Sequence, residues 1–102
     1  MVKVQITKTQ NDIIIKMEGH SNFGKKGNDI VCAGISAVFQ FMIIHIFNNL
    51  KLEGEFGLNS GKGYIRTTRT SEVDKIINSY EEFLQTLEKS YPNSVKVEKL
   101  RY

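Results

Sequence analysis

One cysteine, two histidines and one proline are all that the 102 residues carry of these three residue types. A lone cysteine excludes an intramolecular disulfide, so the fold rests on packing rather than on cross-links. Together with the lack of a charged, apolar, small-residue leader at the start, it points to a reducing compartment, and a cytoplasmic protein is expected. Cys32 with the distant His20 and His45 does not make a metal-ligand set of ordinary spacing, and neither metal nor cofactor is expected. Long apolar runs are scarce as well. The only one, from Ile30 to Leu50, is interrupted by Gln40, His45, Asn48 and Asn49. Its best unbroken stretch is too short for a bilayer, so a buried helix is expected and no membrane. Neither charge sign dominates: 14 lysines and arginines stand against 11 aspartates and glutamates, a net charge of +3. That balance tolerates acidic partners without requiring them.

What is present is the composition of a folding chain. A hydrophobic fraction of 40% with 25% charged residues is far from the signature of disorder. A chain of this length buries roughly 65% of its unfolded surface, enough for one core, and a single domain over residues 1–102 is expected.

The first eighteen residues alternate. Val2, Val4 and Ile6 share one strand face, Ile13, Ile15 and Met17 repeat the pattern, and Thr9-Gln10-Asn11-Asp12 turns between them. The hairpin ends at Gly19-His20. Residues Ser21 to Asn28, with Gly24, Lys25, Lys26 and Gly27, read as an exposed mobile loop with hinges at Gly19, Gly24 and Gly27. Asn28-Asp29 offers helix caps, and the apolar run behind them predicts a helix to about Leu50, apolar most of the way round. A sheet with another helix, or a second subunit, has to cover it. Leu52–Leu58 and Tyr64–Thr68 predict a second hairpin. A second helix follows, with Ser71 as its cap, Asp74 completing a capping box, and Val73, Ile76, Ile77, Tyr80, Phe83, Leu84 and Leu87 as its stripe. Pro92-Asn93 stops it, and Val95 with Val97 predicts a last strand. The order ββαββαβ implies an α+β fold: one two-layer domain, a mixed or antiparallel sheet packed against two helices.

Cys32 falls in the first turn of the first helix. Unpaired N–H groups and the positive end of the helix dipole favour its thiolate there. The plain alternative is a small buried apolar residue. His20, at the strand end across the loop, is placed to take a thiol proton and return it to a leaving amine, although an exposed loop histidine fits the spacing equally well. Ser36, four residues beyond Cys32, shares its helix face and orients the sulfur or substrate, unless its hydroxyl bonds back to a helix carbonyl. Asp29 either orients His20 or caps the helix. His45 lies more than three turns from Cys32 and is given no role.

Gly19-His20 followed by Gly27-Asn28-Asp29-Ile30-Val31-Cys32-Ala33-Gly34-Ile35-Ser36 resembles the signature of the ribosomal-processing cysteine protease (Prp) family, in residues and in His-to-Cys spacing. The likeness extends to the opening hairpin and both helices. It implies that His20 and Cys32 are a catalytic dyad. It also implies that the substrate is the N-terminal extension of large-subunit ribosomal protein twenty-seven, that the loop between the dyad residues is mobile, and that the chain forms a homodimer. Gly34 departs from the family pattern, which has a second alanine after the cysteine; the dyad is untouched.

A different class, a noncatalytic ribosome- or RNA-binding module, is motivated by Lys25, Lys26, Lys62, Arg66 and Arg69 near loops. Aromatic stacking motifs for RNA are absent, Tyr64-Ile65-Arg66 being too slight, and no direct nucleic-acid role is required.

Overall fold

The structure, a computed structural model, describes residues 1–19, 30–59 and 61–101. The alternating start forms β1 (Val2–Lys8) and β2 (Asp12–Gly19), antiparallel, with Val4 opposite Met17 and Ile6 opposite Ile15. Thr9 closes the turn: the Asp12 N–H donates to Thr9 Oγ1 at 2.9 Å, and the Thr9 N–H donates to the Asp12 carbonyl at 2.9 Å. The second hairpin is β3 (Gly54–Asn59) and β4 (Lys62–Thr68), and the last strand is β5 (Val95–Arg101). The sheet order is β3-β4-β2-β1-β5, with β5 parallel to β1 and every other pair antiparallel. The expected α+β class and ββαββαβ order are both present. Several strand bounds move, β4 starting at Lys62 rather than Tyr64 and β3 ending at Asn59 rather than Leu58. β3 starts at Gly54 rather than Leu52, and β5 runs four residues past Val97 because β1 offers it a ladder as far as Lys8.

Two helices pack on one face of the sheet. Helix α1 spans Ile30–Ile43 and continues as a π-helical segment, Ile44–Asn49, in which the Leu50 N–H reaches the His45 carbonyl at 2.9 Å. Its buried stripe is Val31, Ile35, Phe39, Met42 and Ile46, the spacing of one helix face. Of the two coverings expected, the sheet and the second helix take one side only, and on the side left for a second subunit Ile30, Phe41 and Ile44 are exposed, Phe41 by 68%. One sheet reaches one side of a helix, and the second helix lies beside it rather than over it. At 20 residues, Ile30–Asn49 has the length and composition to cross a bilayer, yet it spends its stripe on this core.

Phe39 fixes where α1 sits. It is fully buried, and a Cβ built on Gly63 of β4 would lie 2.8 Å from its ring. Any side chain at position 63 would push the helix off the sheet.

Helix α2 (Ser71–Ser90) buries Val73, Ile77, Tyr80 and Leu84. Its cap is Thr70, correcting the expected Ser71: Thr70 is extended at φ −137°, ψ 167°, and its hydroxyl accepts from the Val73 N–H at 3.1 Å. Ser71 is already helical. Asp74, expected in a capping box, instead takes two hydrogen bonds from Arg69, each 3.2 Å, while Arg69 Nη1 donates to the Thr9 carbonyl at 2.8 Å. Arg69 thus ties the first turn of α2 to the β1–β2 turn. The core lies between the sheet and the two helices, each fully buried aliphatic contributing about 1.5–3 kcal/mol.

Candidate active site

Cys32 is the third residue of α1 and half-buried. Val31 before it and Ile35 after it are buried against the sheet, so the first turn is held in place by its own apolar neighbours. The first N–H groups of a helix have no partner within it, and they converge where a developing oxyanion would be stabilised. Ser36 follows one turn later, half-buried on the same side. Among the described residues Gly34 has nothing within 4 Å of the position a Cβ would take, so alanine's absence there opens no contact with them.

Gly19 ends β2 opposite Val2, and its N–H donates to the Gly61 carbonyl at 2.8 Å. The expected hinge thus lies at the last pair of the ladder, where the strand ends. Its φ is +97°, and a Cβ would lie 2.5 Å from the Met1 carbonyl oxygen. The chain therefore leaves the sheet toward position 20 through a conformation and a gap that only glycine fits. His20, Gly24, Gly27 and Asp29, with Lys25 and Lys26, lie outside the described residues.

His45 is half-buried in the π segment and stacks on Phe41, ring centroids 6.2 Å apart. Thirteen residues of helix put it about 20 Å from Cys32, and it plays no part with the thiol. Two of the arginines behind the RNA-binding reading are engaged by carboxylates: Arg66 by Asp12 and Glu55, Arg69 by Asp74. Among the described residues no group of three or more His, Cys, Asp or Glu side chains is arranged to hold a metal ion.

Two features escaped the sequence reading. Glu81 on α2 gathers Lys8, Lys99 and Arg101, each at 3.2 Å. Burial pushes its carboxyl up, but hydrogen bonds and charge from Lys8 and Lys99 outweigh that, and the net shift is below the usual carboxylate range. Lys8 carried the signal: it continues the buried face of Val2, Val4 and Ile6, where a charge demands a partner. The second feature is the pairing of Phe47 with Phe56, ring centroids 4.7 Å apart, across the junction of α1 and β3.

The class is that of the cysteine proteases, shown by the match of the chain to a family of them, here on a two-layer α+β scaffold. The chain belongs to the cysteine protease Prp family, whose family model matches residues 1–96. The ribosomal processing cysteine protease Prp of Staphylococcus aureus is 32% identical over 104 residues, covering 95% of this chain and 97% of that protein. A crystal structure of the essential ribosomal processing protease Prp from S. aureus, in complex with a covalently linked product peptide, superposes with a TM-score of 0.82. It is 29% identical and covers 97% of this chain and 99% of the other. A second S. aureus structure, with a substrate peptide, gives a TM-score of 0.71 at 26% identity, with coverage of 97% and 99%.

Proposed function

We propose that this chain removes the N-terminal extension of large-subunit ribosomal protein twenty-seven during ribosome assembly, with Cys32 as nucleophile and His20 as general base. The single observation that carries the reading is the position of Cys32 in the first turn of a helix pinned to the sheet, in a chain of a cysteine protease family. The relatives named for ribosomal processing, one of them holding a covalently linked product peptide, support the substrate class.

The chemistry is acyl transfer. Cys32 Sγ attacks the scissile carbonyl carbon while His20 takes the thiol proton. The proton passes to the leaving amine as the C–N bond breaks, and water then hydrolyses the thioester to free the acid and the thiol. First-turn N–H groups stabilise the oxyanion. Ser36 orients the sulfur or the peptide, and Asp29 caps the helix or orients the His20 ring. Closure of the segment bearing Gly24 and Gly27 over bound peptide assembles the dyad. We take residues 1–102 as one domain, acting in the cytoplasm as a homodimer. The exposed Ile30, Phe41 and Ile44 on the outer face of α1 support a partner there.

Acid-quenched intact-mass spectrometry tests the route. Mixing the protein with a peptide copying the extension should give an adduct equal in mass to the acyl fragment, mapped to Cys32 and formed far more slowly in His20→Ala. Cleavage with an adduct on no residue, or on another residue, contradicts it.

A further inference from the structure

The sheet has two edges, and they are treated differently. On β5 the Val97 N–H, which points away from the sheet, is occupied: it donates to Glu88 Oε2 of α2 at 3.2 Å. On β3 no described residue pairs beyond the strand, all six residues but the half-buried Leu58 are exposed, and the strand Gly-Glu-Phe-Gly-Leu-Asn has neither lysine nor proline to discourage pairing. Its one charge, Glu55, is turned to the open sheet face and held by Arg66. On the helix side Phe56 is 54% exposed and lies against Phe47. An open strand edge beside an aromatic pair whose outer ring, Phe56, is exposed is a site for an extended peptide, the edge offering main-chain hydrogen bonds and the rings an apolar anchor.

The same helix flank leads back to the nucleophile. Cys32, Ser36, Ile43 and Phe47 are all half-buried, and at 100° per residue their spacing keeps them within one side of the helix, beside the buried stripe. Phe47 shows which side this is, because it meets β3. The separation of Cys32 from Phe47 is about 22 Å at 1.5 Å per residue. An extended chain covers that in about six or seven residues.

We infer that β3 and the Phe47–Phe56 pair form a second recognition site for the substrate peptide, which binds as an added strand and seats a large apolar side chain on the rings about six or seven residues from the scissile bond. This rests on the peptidase reading for its ligand. The cleavage site is then chosen partly by chain far from the bond that breaks.

The test uses binding without turnover. Fluorescein-labelled peptides copying the ribosomal-protein extension, with about ten residues on each side of the scissile bond or cut to three on either side, are titrated into Cys32→Ala by anisotropy. One of the two truncations should weaken binding at least tenfold. Adding Phe56→Ala should erase the difference between long and short peptides. N-methylation along the long peptide should weaken binding at alternate residues only, an arm that needs no further variant. Equal binding of all lengths, an undiminished difference in Phe56→Ala, or conversion of a dimer to a monomer by Phe56→Ala overturns the inference, the last by assigning the edge to a second copy. Because Cys32→Ala binds but does not cut, failure of the native protein to cleave the long peptide counts against the peptidase reading alone.

Discussion

At Gly19 a single hydrogen atom decides where the chain goes next. With φ at +97° and the Met1 carbonyl oxygen 2.5 Å from any Cβ, alanine is excluded on two counts. Gly19→Ala should lower stability by about 1–3 kcal/mol in urea unfolding. It should lower kcat/KM further than the unfolded fraction accounts for, because position 19 sets the exit toward His20. Tyr80 offers the opposite case. Its hydroxyl is buried with no hydrogen-bond partner among the described residues, and burial pushes its ionisation upward. Removing an unsatisfied hydroxyl relieves a desolvation cost, so Tyr80→Phe should leave stability unchanged or raise it by about 1 kcal/mol. A loss of stability there would reveal a partner for the oxygen. Glu81 is a third residue-scale case. A carboxyl held below its usual range stabilises the fold above the unfolded value near about 4.3, and that contribution disappears as pH falls through the folded value. Native protein should lose stability on acidification below that point. Glu81→Gln, weaker by about 2 kcal/mol at neutral pH, should show a smaller acid loss.

Among the elements, α1 carries the most function and was the least legible. Its start, and Cys32 in its first turn, followed from the apolar run after residue 29. Its π-helical end did not, since Ile44–Asn49 has no sequence mark that separates five-residue from four-residue hydrogen bonding. The exposure of Phe41 and Ile44 was also hidden, because apolar residues on every side of a helix do not tell which side the sheet will take. The two hairpins were legible, as in Val2, Val4 and Ile6 against Ile13, Ile15 and Met17, whereas the pairing of β4 with β2 and of β5 with β1 joins strands too distant in sequence for a local pattern to show. The cap of α2 was misplaced by one residue because Thr70 and Ser71 are both capable, and only backbone geometry chooses Thr70. Gly34 is the weak point of α1, a glycine inside a helix with no described residue where a Cβ would stand. Gly34→Ala should stabilise the protein by about 0.5–1 kcal/mol with the fold unchanged, read as a higher urea midpoint. Any loss of turnover in that variant would measure how much the first turns of α1 must yield during catalysis.

On the scale of the whole molecule, one five-stranded sheet collects what the chain scatters. The β1–β2 hairpin ends at Gly19 next to Gly61 of the second hairpin, and α1 begins again at Ile30 with its stripe on the same sheet. Both ends of the segment between β2 and α1 are therefore fixed to one sheet, with Cys32, the proposed nucleophile, at one end and the exit toward His20 at the other. The distant contacts that lock this arrangement, Phe39 over Gly63 and Arg69 joining α2 to the β1–β2 turn, link residues too far apart in sequence for any local pattern to announce them. The account's central claim is that Cys32 breaks the peptide bond. Its most direct test is kcat/KM for release of the ribosomal-protein extension by native protein and by Cys32→Ala at matched folded concentration. The account requires native cleavage at one bond and a loss of at least about a thousandfold in the variant; cleavage by Cys32→Ala at the native rate would contradict it.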